Sequence, residues 1–107
     1  MYLQPFTKNV IAVIKNIPPG KVMTYSQVAA CAGSPRGARQ VVRILHTMSE
    51  NYHLPWHRIV NIKGEITIQN AAYQKALLEA EGIVVTQALT LSLEAYQYKI
   101  TPMDFDF

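Results

Sequence analysis

The turn Gly33-Ser34-Pro35 constrains this chain more than any other feature. Glycine tolerates the left-handed backbone that closes a helix. Serine is a good N-cap and proline a good first helical residue. The tripeptide therefore ends one helix and starts another within a few residues. Upstream, Thr24 reads as an N-cap, and Gln27 three residues later completes a capping-box pattern, which predicts a short helix from Tyr25 to Cys31. Downstream, a helix is predicted from about Arg36 to Thr47, with Ala38, Val41, Leu45 and Met48 on its apolar side. Two short helices on a tight turn outline a helix-turn-helix.

On the second helix Arg36, Arg39 and Arg43 recur at i, i+3 and i+7 and share one face. The charge of the whole chain is lopsided in the same sense. Residues 1–63 carry eight basic side chains against Glu50 alone, whereas residues 64–107 carry Lys75 and Lys99 against six acids. A basic half suits a polyanion such as nucleic acid. An arginine stripe is what phosphate or groove contact requires, but an ordinary solvated helix face looks the same, and charge alone leaves both readings open.

The rest of the chain fits one domain, residues 1–107. Phe6, Val10, Val13, Ile14 and Ile17 recur at helical spacing, predicting a helix over 5–16 that Pro18-Pro19-Gly20 stops. Ile59-Val60 and Glu65-Ile66-Thr67-Ile68, separated by the turn Asn61–Gly64, predict a hairpin that would form a small wing. A helix is predicted over 71–81, with Tyr73, Leu77 and Ala80 on one side and Gly82 at its end; Ile83-Val84-Val85 suggests a short strand. The C-terminal stretch through Tyr96, Tyr98 and Ile100 is apolar enough to pack on the domain, and residues 104–107 are expected to fray. The expected class is mainly α with a small β wing: a winged helix-turn-helix.

Cys31 is the single cysteine, so neither an intramolecular disulfide nor a multi-cysteine metal site is possible. His46 and His53 match no ligand spacing, and no metal or cofactor is expected. One thiol fits a reducing cytosol, and a bacterial-type cytosol or nucleoid is the expected location. No basic-then-apolar leader or membrane-length apolar run is present, so no membrane partner is expected.

Three segments in order resemble the active domain of O6-alkylguanine-DNA alkyltransferases: Ile17-Pro18-Pro19-Gly20-Lys21-Val22-Met23-Thr24-Tyr25, Ser34-Pro35-Arg36-Gly37-Ala38-Arg39, and Pro55-Trp56-His57-Arg58-Ile59-Val60. A fourth, Lys75 to Gly82, is similar to the family's closing helix, and the likeness covers roughly residues 5–85. The transferases read Pro-Cys-His-Arg, and their cysteine takes the alkyl group. Trp56 at this place resembles the alkyltransferase-like subgroup, which lacks the reactive thiol. Alkyl transfer needs a thiolate, whereas an indole offers only an N–H donor. Cys31, between Ala30 and Ala32, reads as a small buried thiol.

The resemblance implies a role for each matching residue. Proteins of this family flip the target nucleotide out of the duplex. Arg39 matches the finger arginine that enters the stack from the minor groove, and Tyr25 matches the tyrosine that crowds the target phosphate. Gly37 and Ala38 match small residues that let the helix lie against the groove walls. Gln40 and Val42 stand where the family often has Ala and Gly, adding bulk near the DNA. Arg36 and Arg43 complete the expected DNA-binding face. Trp56 is expected to line the lesion pocket with Tyr25, His57, Arg58, Gln69 and Glu81. His57 and Glu81 match the relay that activates the transferase cysteine, and with Trp56 present they become scaffold, as does Arg58. Gln69 stands where some alkyltransferase-like proteins carry an arginine, in a loop where the transferases have a Ser-Gly-Gly-like stretch.

The function implied is recognition of O6-alkylguanine in double-stranded DNA without dealkylation, by a monomer that marks the lesion for nucleotide-excision repair proteins. Two alternatives are an active DNA alkyltransferase or other alkyl-handling enzyme, for which only Cys31 could serve, and a plain helix-turn-helix regulator. The regulator would read the major groove through long side chains, which Gly37 and Ala38 suit poorly.

Overall fold

The computed structural model describes residues 3–105 and Phe107. Its elements in chain order are α1 (Pro5–Lys15), β1 (Met23–Thr24), α2 (Tyr25–Cys31), α3 (Ala38–Tyr52), a 3-10 turn at Trp56–Arg58, β2 (Ile59–Val60), α4 (Ala71–Ala80), α5 (Leu93–Tyr96) and a last 3-10 turn at Pro102–Asp104. The class is the expected one: mostly helical, with one small two-stranded sheet.

Helix α2 starts at the predicted capping box. Thr24 Oγ1 accepts from the Gln27 N–H at 3.0 Å, and Gln27 Oε1 accepts from the Thr24 N–H at 3.4 Å. Gly33, with φ +104°, follows its end. The next helix begins later than its sequence signals suggest. Ser34 and Pro35 lie in the turn, the Ser34 carbonyl accepts from the Gly37 N–H at 2.9 Å, and Gly37 is the N-cap of α3. Arg36 is therefore in the turn, off the helix. The helix also runs past Thr47 to Tyr52, because Met48 and Tyr52 pack on the core and His53 closes it in a left-handed conformation.

Helices α1, α2 and α3 enclose one core around Val10, Val13, Ile14, Val28, Ala29, Val41 and Ile44. A second core gathers Val22, Val60, Ile66, Leu78, Ile83, Val85 and Leu91. The sheet lies between them. β1 pairs with β2 in parallel, Met23 opposite Ile59 and Thr24 opposite Val60. Successive strand residues point to opposite faces, so Ile59 enters the first core and Val60 the second.

The expected hairpin does not form. β2 takes β1 as its partner, and Glu65 makes an isolated antiparallel bridge to Thr90. The turn itself is present: Asn61 Oδ1 accepts from the N–H groups of Lys63 and Glu65 at 3.0 and 2.8 Å. Gly64, at φ +74°, is required there, because a Cβ would collide with the Leu91 carbonyl. No strand forms over 83–85, although Ile83 and Val85 are buried and Val84 is exposed. Helix α4 matches its predicted span but turns a different face inward: Gln74 and Leu78 are buried, while Tyr73 and Ala80 are exposed.

The C-terminal stretch packs as expected. The Val22 N–H donates to the Tyr96 carbonyl at 2.9 Å and its carbonyl accepts from the Tyr98 N–H at 2.7 Å, Gln27 Nε2 donates to the Tyr98 carbonyl at 2.6 Å, and Tyr98, Ile100 and Phe105 cover the first core. Of the segment expected to fray, Asp104 instead closes a turn by accepting from the Thr101 N–H at 2.8 Å, Phe105 and Phe107 stack with centroids 5.5 Å apart, and Asp106 lies outside the described residues. No helix among the described residues is long and apolar enough to cross a membrane.

Candidate nucleic-acid interface and base pocket

A cavity of about 390 Å³ opens between α2, α3, the Trp56 turn and the loop before α4. Tyr25 stands at one wall. Leu45, His46 and Ser49 come from the second half of α3, Trp56 and Ile59 from the other side, and Ile68, Gln69, Asn70 and Gln74 close the remainder. This size and mixed lining suit a small planar ligand. Trp56 is half-buried; it lies edge-on to His57 at 6.1 Å and tilted against Tyr73 at 5.9 Å.

Of the residues expected in the pocket, Tyr25, Trp56 and Gln69 line the cavity, and His57, Arg58 and Glu81 do not. Those three form an ion cluster beside it. Glu81 Oε2 meets His57 Nε2 at 2.7 Å and accepts from Arg58 Nη2 at 2.7 Å, while Oε1 accepts from the Gly20 N–H at 3.1 Å. Arg58 Nη1 also donates to the Ile17 carbonyl at 2.9 Å. The cluster thus ties the end of α4, the Trp56 turn and the Pro18–Gly20 turn together. Burial disfavours the Glu81 carboxylate, but the bonds from Arg58, then His57, then the Gly20 N–H outweigh it and hold its pKa down to about 2. Both oxygens are committed within the protein, so Glu81 positions the Trp56 turn and has no bond to spare for a ligand.

A second, shallower depression of about 280 Å³ lies on the other side of Tyr25, lined by Ser26, Ala38, Arg39, Val42, Asn61 and Ile62. Tyr25 borders both cavities, and burial pushes its phenol up in pKa, keeping it a neutral donor. Arg39, Gln40 and Arg43 are exposed on α3, and Arg36 is exposed in the turn before it. None of the three arginines forms an ion pair among the described residues. Arg39 thus lies next to the Tyr25 wall, Arg43 is one turn further along α3, and Arg36 is in the turn before the helix. Ala38 is partly exposed there. Gly37 is the exception: it is buried, and an added Cβ would sit 2.8 Å from Phe6 Cζ and 3.1 Å from the Ser34 carbonyl oxygen. Its small size serves contact between α1 and the turn, not a groove wall.

Sequence reasoning missed Leu45, His46, Ser49 and Gln74. Leu45 and Ser49 are one helical turn apart, a signal hidden by ending α3 at Thr47. Gln74 was overlooked because a glutamine does not read as an inward position.

The DNA-binding domain of 6-O-methylguanine DNA methyltransferase matches residues 5–83. The chain is 38% identical to a DNA base-flipping protein of Vibrio parahaemolyticus, over 91% of this chain and 99% of that protein. It is 34% identical to alkyltransferase-like protein 1 of Schizosaccharomyces pombe, over 92% and 99%. It superposes on the crystal structure of S. pombe Atl1 in complex with damaged DNA containing O6-carboxymethylguanine with a TM-score of 0.83 at 33% identity, covering 94% of this chain and all of that one. With an arginine-bearing helix-turn-helix beside a pocket, and matched over 91% and 92% of its length by these two proteins, the chain belongs to the family of 6-O-methylguanine DNA methyltransferase DNA-binding domains, on the side of the base-flipping and alkyltransferase-like proteins.

Proposed function

We propose that this protein binds double-stranded DNA containing O6-alkylguanine, turns the damaged nucleotide into the 390 Å³ cavity and holds it there without dealkylating it. The observation that carries this reading is that the cavity is lined by an indole and by no thiol. Cys31 packs in the core of α1–α3, and its Sγ lies 4.0 Å from the Ile100 carbonyl. Burial, and then the charge of Asp104, push its pKa up, so it stays a protonated thiol and a poor nucleophile. An indole cannot accept an alkyl group in its place.

The surrounding geometry supports the remaining steps. The exposed arginines and the basic half of the chain supply phosphate contacts. Arg39 reaches into the stack and fills the space the nucleotide leaves, for which a planar guanidinium is suited. Tyr25, between the two depressions, presents its hydroxyl to the target phosphate as the base passes. Trp56 offers its face to the flipped purine. The names of the relatives, a base-flipping protein and an alkyltransferase-like protein, accord with this. Because no bond to the adduct is broken, the lesion has to be removed by other proteins. We extend the proposal to hand-off by a monomer to nucleotide-excision repair.

The test is titration of matched duplexes with and without one O6-methylguanine, repeated with Trp56→Ala. The reading expects tighter binding of the damaged duplex and a selective loss of that preference in the variant. Equal affinities for the two duplexes in the unmodified protein would overturn it.

A further inference from the structure

Trp56 lines the cavity and is only partly buried, so its orientation depends on what packs against the indole outside the space a base would take. Helix α4 supplies that support. Gln74 Nε2 donates to the carbonyls of His57 at 2.9 Å and Ile59 at 3.1 Å, which ties the backbone that follows Trp56 to the helix. Glu81, the C-cap of the helix, is bonded to His57 and Arg58. None of these bonds reaches the indole itself. Among the described residues the indole has two ring contacts: His57, edge-on at 6.1 Å, and Tyr73, tilted by 43° at 5.9 Å. Tyr73 precedes Gln74 on α4, is 53% exposed and does not line the cavity. It touches the indole without occupying the room for a base.

We propose that Tyr73 is a positioning residue for Trp56: its ring backs the indole and holds it in the orientation that offers its face to the flipped purine. This rests on the functional reading above. An indole free to turn about its side-chain bonds has to be ordered when a base arrives, and that ordering weakens binding. A neighbouring ring that already holds it removes the cost in advance. Tilted pairs at this separation are also a favourable aromatic arrangement, beyond the area they bury. The effect falls on lesion preference. Only a base inside the cavity uses the indole face, whereas an undamaged duplex is held through its phosphates.

Trp56 is the only tryptophan of the chain, so its emission reports on one indole. The experiment uses the unmodified protein, Tyr73→Ala and Tyr73→Phe. Residue 73 is exposed on a helix and alanine is a good helix former, so Tyr73→Ala keeps the fold. Two quantities are measured: the decay of Trp56 fluorescence anisotropy in the free protein, and the ratio of affinities for matched duplexes carrying O6-methylguanine or guanine. In Tyr73→Ala the fast local part of the decay is expected to grow. The ratio favouring O6-methylguanine is expected to fall by about fivefold, the size of one aromatic pair. Tyr73→Phe, which keeps the ring, is expected to restore both. A residue that merely stabilised α4 would move neither. An unchanged decay or an unchanged ratio in Tyr73→Ala would overturn the assignment. Equal loss of affinity for both duplexes would also overturn it, by making Tyr73 a general DNA contact. Failure of the unmodified protein to prefer O6-methylguanine over guanine is a separate result, which removes the functional reading and the inference together.

Discussion

Glu81→Gln perturbs the ion cluster beside the cavity while keeping the side-chain shape. The substitution removes the charge that holds Arg58 and His57, and it leaves the Arg58 guanidinium, only 15% exposed, without its counter-ion. The Glu81 carboxyl falls from an ordinary pKa of 4.5 to about 2 in the fold. Each tenfold change in proton affinity is worth about 1.4 kcal/mol, so the full linkage would be ~3 kcal/mol. The cluster has an edge open to solvent, which screens this to about 2 kcal/mol. For a domain of this size that corresponds to a drop in Tm of roughly 10 °C. The sign with pH follows from the lowered pKa. Stability from Glu81 is fully present above pH 4.5 and is lost as pH falls through about 2. Thermal unfolding followed by circular dichroism should therefore show a large gap between the two proteins at pH 7 and a gap that closes between pH 4.5 and 2. A Tm difference within error at pH 7, or one of constant size down to pH 2, would show that Glu81 does not stabilise the fold through its charge.

Arg39→Ala should weaken binding to lesion DNA and lower the fluorescence of a reporter base beside the flipped site; unchanged affinity and signal would remove Arg39 from the stack. Trp56→Cys should give little or no methyl transfer despite His57 and Glu81 nearby, since both Glu81 oxygens are already bonded and small misplacements of sulfur slow an in-line attack steeply; rapid transfer, read by loss of label from the DNA, would contradict this. Gly37→Ala should destabilise the fold by about 1–2 kcal/mol in denaturant unfolding through its contact with Phe6, with lesion preference retained; a selective loss of DNA binding at full stability would return Gly37 to the groove wall.

Local signals are legible in the sequence. The capping box at Thr24 and Gln27, the stop at Gly33 and the span of α4 all appear where the residues place them, because each depends on neighbours a few residues away. The pairing of β2 is not legible there. Ile59-Val60 followed by a turn and Glu65–Ile68 has the pattern of a hairpin, yet the partner lies far back at Met23-Thr24. No short-range feature encodes that choice; it follows from burying Ile59 and Val60 against two different cores. The same limit applies to the site. Tyr25, Trp56 and Gln69 were found through motif positions, and all three line the cavity. His57, Arg58 and Glu81, expected in the pocket, form the ion cluster beside it and do not line it. Gln74 escaped notice because apolar periodicity cannot mark a buried amide whose partners are backbone carbonyls on another element.

Recognition without chemistry leaves a definite mass balance. The protein is incubated with excess duplex carrying O6-methylguanine, and the intact masses of the protein and of the recovered strands are then determined, with complex formation verified in the same mixture. The account predicts a complex selective for the damaged duplex, a protein of unchanged mass and a DNA strand that keeps its methyl group. A protein heavier by one methyl, with the strand lighter by the same amount, would contradict it, and the position of that methyl would show whether Cys31 had accepted it.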